Sequence, residues 1–206
     1  MARASRIAIL LSAALAGMLL AAAPAQAQYS PGYNFLQAVK KKDGDKVLKM
    51  LSDPASTLVN SRDITTGESA LHIVVERRDL TWIDFLLRKG ADPNIRDNKG
   101  VTPLVLATRL DFVEGAEALI AKGAKVDIPD QTGETPLIFA VHNRDTSMMR
   151  VLLRAGADPD RPDSSGRSAR DYAMQDGKDS VLLTEIERNE RPADQREGAS
   201  TYGPSI

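Results

Sequence analysis

The chain has no cysteine among its 206 residues. That excludes disulfides, thiolate zinc sites, thiol catalysis and a lipid-modified N-terminal cysteine. Histidine is nearly as scarce: His72 and His142 are the two imidazoles, too few for a histidine-built metal centre. No sign of charge dominates, the formal net charge being −1, so the electrostatic footprint of a nucleic-acid binder is missing. The sequence also lacks G-x-S-x-G, the phosphate-cradling GxxxxGK[ST], HExxH and G-x-G-x-x-G, and with them the commonest signatures of hydrolases and nucleotide enzymes. Asp92-Pro93-Asn94 and Asp158-Pro159-Asp160 offer oxygen ligands but lack the dense alternating carboxylates and closing Glu of a calcium loop. No metal and no cofactor are expected.

What is present begins with a leader. Arg3 and Arg6 precede an almost purely apolar run from Ile7 to Ala23, and Ala25-Gln26-Ala27 follows with small residues at the two positions a signal peptidase reads. This is the three-part pattern of a secretory signal peptide, with cleavage expected after Ala27. It predicts a bacterial chain that is periplasmic or secreted and, once cleaved, free of the membrane. Residues 28–32 read as a short linker. Hydrophobic residues at 42% and charged ones at 27% suit a soluble globular core.

The remainder is organised by a repeat. Gly67, Gly100, Gly133 and Gly166 are spaced 33 residues apart, and Asp97, Asp130 and Asp163 each stand three residues before a glycine. Ser69-Ala70-Leu71-His72, Thr102-Pro103-Leu104-Val105 and Thr135-Pro136-Leu137-Ile138 keep the same frame. So do Leu86-Leu87, Leu119-Ile120 and Leu152-Leu153, each followed by Gly-Ala. Thr with Pro reads as a capped helix start, and Gly90, Gly123 and Gly156 as left-handed helix ends. Apolar residues at helical spacing would leave each unit with a face it cannot bury alone.

These motifs resemble the ankyrin repeat, G-x-T-P-L-H followed by two helices and G-A-D-x-N, over residues 33–188. The resemblance implies an all-α solenoid of stacked helix-turn-helix units joined by short β-hairpin loops. Three full repeats, Gly67 to Asp163, stand between an N-terminal cap around Phe35–Leu51 and a C-terminal cap ending near Ile186. Residues 189–206 are polar and read as a disordered tail. In the second helix of the middle repeat, Gly115, Ala116 and Ala118 replace the bulky residues of its neighbours, which marks it as the weak helix of the stack.

The resemblance further implies a non-catalytic module that binds another protein through its hairpin tips and concave helix face. The expected contacts are Lys41, Lys42, Glu76, Arg77, Arg109, Leu110, His142 and Asn143 at the ends of first helices. At the tips they are Asn98, Lys99, Val101, Gln131, Thr132 and Glu134. Leu110 is the expected apolar anchor. Lys41, Lys42, Arg77, Lys99 and Arg109 bias the face toward an acidic partner. His72 is expected to stabilise its repeat by hydrogen bonding, and Trp82, Phe85 and Phe139 fall at core spacing. A monomer with a protein partner is expected. Exported bacterial proteins of this kind point to an accessory role in envelope oxidative-stress defence, in support of catalase. A toxin-immunity role is the alternative within the binding class. An enzyme or small-ligand binder would have to use His142 with Asp145 or Asp111, the best titratable set the chain offers.

Overall fold

The computed structural model describes residues 30–53, 56–175, 177 and 180–196. The expected signal peptide, the first two residues of the linker and residues 197–206 lie outside the described residues. From Pro31 onward the chain forms one unit. Among the described residues it contains ten α-helices, two short 3-10 turns and no strand.

The helices come in pairs. α1 (Pro31–Lys40) and α2 (Gly44–Met50) open the stack, and α9 (Ala169–Met174) and α10 (Val181–Asn189) close it. Between them lie α3 (Ala70–Glu76) with α4 (Leu80–Arg88), α5 (Pro103–Arg109) with α6 (Val113–Ile120), and α7 (Pro136–His142) with α8 (Thr146–Arg154). None exceeds ten residues, and helices this short are marginal alone in water. They persist because they stack. The first helices pack in one row, α1 to α3 to α5 to α7 to α9, and α4, α6, α8 and α10 pack in a second. Leu71, Leu104 and Leu137 in the first row, and Leu86, Leu119 and Leu152 in the second, are fully buried at 33-residue intervals. Each such leucine contributes roughly 1.5–3 kcal/mol.

Local chemistry sets the helix ends. Thr102 and Thr135 accept from Val105 and Ile138 backbone N–H, with Pro103 and Pro136 opening their helices. Pro31 likewise opens α1, so the helix takes in two residues expected in the linker, since proline at the first position loses no needed donor. Asp43, Asp79 and Asp145 cap the second helices. Lys42, Arg78, Asp111 and Arg144 take φ of 49–56° between the helices of a pair. The residue after each donates its N–H five places back, Asp79 to Val74 and Asp145 to Ala140 among them. This left-handed closure satisfies helix-end carbonyls and occurs here without glycine.

Neighbouring units are sewn together. Asn60 donates from Nδ2 to the Gly90 carbonyl and accepts from Asp92 N–H, at 3.3 and 2.8 Å. Asn94 repeats this with Gly123 and Lys125, at 3.0 and 2.8 Å. Asp127 accepts from Asp158 N–H. Among the described residues the expected hairpins are tight turns rather than paired strands, with one antiparallel bridge, between Arg62 and Ser69. Adjacent turns touch so closely that a Cβ on Gly67 or Gly133 would lie 2.6 Å from the backbone nitrogen of Asn98 or Ser164. These glycines, with φ of 77° and 81°, therefore answer both a turn and a close approach.

Two elements depart from expectation. Phe112 occupies the cap position of α6 and makes no side-chain cap. Its ring instead covers Gly115, where a Cβ would fall 2.3 Å from Phe112 Cδ1. The glycine that weakens α6 is thus also the seat for a buried phenylalanine. At the other end, residues 189–196, expected to be disordered, are held in place. A 3-10 turn at Ala193–Gln195 brings Arg196 onto Asp158, Asp160 and Glu190, at 3.1, 2.8 and 2.9 Å. Arg170 joins the same group through Asp160 and Glu190.

Candidate interaction surface

The turn tips fold over the first-helix row. Glu134 Oε1 lies 3.6 Å from His142 Nδ1, although Glu134 precedes α7 and His142 ends it. Arg109, at the end of α5, reaches Asp130 in the following tip at 2.5 Å. Helix ends and tips therefore make one continuous face, as the family resemblance implies.

Several residues expected on that face serve the fold. Val101 is buried, and its carbonyl accepts from His72 Nε2 at 2.9 Å. Arg77 donates to the Val39 carbonyl and to Asp79 and lies over the Trp82 ring at 5.1 Å. Its Nη2 is buried without a hydrogen-bond partner among the described residues, a loss that the aromatic face partly offsets. Leu110 is half-buried and packs against the core, so it is not the exposed anchor that was expected. Arg109 pairs with Asp130 and stacks over Phe139 at 4.2 Å. Lys42 pairs with Asp79 at 3.2 Å. Three of the five cations of the face are thereby engaged by two carboxylates of the protein itself, Asp79 and Asp130. Sequence spacing missed this because the partner carboxylates come from adjoining loops.

Lys41, Glu76, Asn98, Lys99, Gln131, Thr132, His142 and Asn143 are exposed. The tips among them are ordered by their own aspartates: Asp97 Oδ1 accepts from Lys99 and Val101, and Asp130 Oδ1 from Thr132 and Glu134. Asn143 donates to Asp111 at 3.0 Å. Burial pushes the Asp163 carboxyl up, but hydrogen bonds from Tyr172, Ser165 and Arg167 outweigh it and hold the group far below the usual carboxylate range. Asp79 behaves alike: burial raises it, and Lys42, the Trp82 N–H and Arg77 bring it below the ordinary value.

One feature of the face escaped the sequence reading. Ile73, Leu106, Phe139 and Tyr172 recur at 33-residue spacing on the first helices. The last three are half-buried, forming an apolar floor. Arg109 lies over Phe139, Arg167 over Tyr172 at 4.7 Å, and His142 meets Tyr172 edge-on at 4.4 Å. Their common register was the available signal. Phe139, expected at core spacing, is mostly buried but keeps part of its surface exposed.

Asp111, Asp145 and His142, the titratable residues singled out in the sequence, each have other partners. Asp145 accepts from Ser147 and Met148 backbone N–H, and Asp111 accepts from Asn143. His142 faces Glu134 and Tyr172 instead. His72 accepts from Ser69 N–H at Nδ1 and is buried, and that burial lowers its pKa below the ordinary histidine value. Among the described residues no group of three His, Asp or Glu could hold a metal ion, and no helix is long and apolar enough to cross a membrane.

Comparison with known proteins agrees with this architecture. Residues 35–130 match the family of ankyrin repeats in three copies, and residues 119–173 the family of ankyrin repeats in many copies. An ankyrin repeat protein of Acanthamoeba polyphaga mimivirus is 40% identical over 78 residues, covering 38% of this chain and 10% of that protein. The oxysterol-binding protein homolog 1 of Saccharomyces cerevisiae is 34% identical over 37% of this chain and 7% of its own length. The human 2-5A-dependent ribonuclease is 36% identical over 35% of this chain and 9% of its own length. The chain thus spans a tenth or less of these relatives. From frame, stacked helix pairs and sequence match together, the chain belongs to the ankyrin-repeat family, whose repeats are protein-protein interaction modules.

Proposed function

We propose that the protein is a non-catalytic module of the bacterial envelope, periplasmic or secreted, that binds one protein partner through its tips and its first-helix face. The observation that carries this reading is the floor of Leu106, Phe139 and Tyr172, partly exposed beside Arg109, Arg167 and His142. Aromatic and arginine side chains on a rigid support are the residues that most often anchor interfaces. A preformed stack also loses little freedom on binding. Export rests on the leader pattern of residues 1–27.

The test uses the full chain, tagged at its C-terminus and produced in a Gram-negative host. Intact mass reports whether cleavage follows Ala27. Crosslinking and mass spectrometry identify the partner, and the purified partner is titrated against Thr132→Arg/His142→Ala, both exposed positions. The expected result is a cleaved chain and at least a tenfold weaker complex with unchanged melting temperature. Equal affinity for wild type and variant would remove this face from the interface.

A further inference from the structure

Four turn tips project from the stack, and the last three are each closed against the tip before. The residue after the tip aspartate donates its N–H backward: Asn98 to the Thr66 carbonyl, Gln131 to Lys99 and Ser164 to Thr132, at 2.9, 3.2 and 3.1 Å. Side chains add to this, Asn98 Nδ2 reaching the Thr65 carbonyl at 2.9 Å and Gln131 Nε2 the Asn98 carbonyl at 2.7 Å. The first tip has no predecessor, because α1 and α2 bring no such turn among the described residues.

In that first tip the residue after Asp63 is Ile64. Its side chain is 97% exposed, and its N–H makes no hydrogen bond among the described residues. The turn holding it is nonetheless fixed. Asp63 Oδ1 accepts from Thr65 and Thr66 N–H at 2.9 and 3.0 Å, and Arg62 Nε donates to the Gly67 carbonyl at 3.0 Å. Asp63 stands four residues before its glycine where Asp97 stands three before Gly100, so this tip carries one residue more. An isoleucine displayed on a rigid turn, touching nothing, contributes nothing to folding.

We propose that the first tip is the open rung of the tip ladder and the docking point for a partner protein. The partner adds the missing rung: a backbone carbonyl accepts from Ile64 N–H, and an apolar pocket receives its side chain. This is backbone addition to an unpaired edge, with side-chain pockets supplying specificity. A lipid surface fits less well, since one exposed side chain offers little apolar area. The proposal rests on the interaction-module reading and sharpens it.

A photo-crosslinking residue is placed in the full chain at position 64, at position 165 in the last tip, and at position 117 on α6. Crosslinked proteins from an envelope extract are identified, purified and titrated. Selective crosslinking from position 64, with a ten- to hundredfold affinity loss in Ile64→Thr at unchanged melting temperature, is the expected outcome. Burial of an isoleucine supports a loss of that size. A partner that crosslinks from position 165 or 117 alone, and binds Ile64→Thr as tightly as wild type, overturns the proposal but leaves the module reading intact. No specific partner from any position overturns both. Binding of the wild-type chain to vesicles with anionic lipid, lost in Ile64→Asp, overturns the choice of a protein partner.

Discussion

His72 shows how much a single residue can be asked to do by its surroundings. Its Nδ1 takes the Ser69 N–H and its Nε2 gives a proton to the Val101 carbonyl of the next unit. Acceptance at Nδ1 needs the neutral ring, donation from Nε2 does not, and burial favours the neutral form by lowering the pKa. The unfolded chain therefore takes up a proton before the folded one does. Stability is full above about pH 6.5, the ordinary histidine value, and falls on acidification with a slope of at most about 1.4 kcal/mol per pH unit. The carboxylates of Asp79 and Asp163 are shifted down instead, so their contribution is lost only below about pH 4. Urea titrations between pH 7.5 and 5 should show the first slope in wild type and none in His72→Gln. The role of His72 was legible in the sequence because the repeat frame names its position. The pairing of Arg77 and Arg109 was not. Their partners Asp79 and Asp130 are ordinary acidic residues in sequence, and only the bend of the tips and helix ends brings them within 3.2 and 2.5 Å.

At the scale of the helix, α6 is the informative element. Its frame position 112 carries phenylalanine where Asp79 and Asp145 cap the equivalent helices. The helix thus loses a cap worth about 1 kcal/mol and gains an aromatic ring buried over Gly115. Glycine to alanine inside a helix ordinarily stabilises by about 1 kcal/mol. Here Gly115→Ala should destabilise by about 1–3 kcal/mol, the usual cost of overpacking, because its Cβ meets the ring. Phe112→Leu in the same chain should recover part of the loss. Thermal melts of the two variants decide it, and a more stable Gly115→Ala would refute the packing argument. Hydrogen exchange should still find residues 113–121 less protected than α4 or α8, since α6 buries the smallest side chains of its row. The helix pairs, their order and most caps were readable from the 33-residue frame. The ring-on-glycine contact was not, because a helix-breaking residue and a missing cap look alike as two independent weaknesses until they are seen to touch.

At the scale of the stack, the main helix contacts among the described residues are within a unit or between neighbouring units, so stability is approximately a sum of unit and interface contributions and the ends fray first. Arg196 counters this at the C-terminus. In the preceding units Asn60, Asn94 and Asp127 bond forward to the next turn. Asp160 stands in the same register ahead of the closing pair α9 and α10, and Arg170 and Arg196 take it up. Arg170 hydrogen-bonding first of all holds the Asp160 carboxyl below its ordinary value. Arg196→Ala should cost about 1 kcal/mol, since these ion pairs are partly exposed, and should raise hydrogen exchange in α9 and α10 while leaving α3 to α5 unchanged. Asn94→Ala should act in the middle instead, speeding exchange at the Lys125 amide that Asn94 accepts. The forward bonds also decide how such a chain can change in length. The one extra residue of the first tip lies between Asn60 and Gly67, and from Gly67 to Gly166 no spacing departs from 33. A single insertion in that stretch would put a tip glycine, its aspartate and its stitching residue out of step with both neighbours at once. Removal or duplication of a whole 33-residue block would leave every rung facing a rung. Such a protein can grow or shrink only in whole copies, so the reach of its binding face is quantised by the repeat.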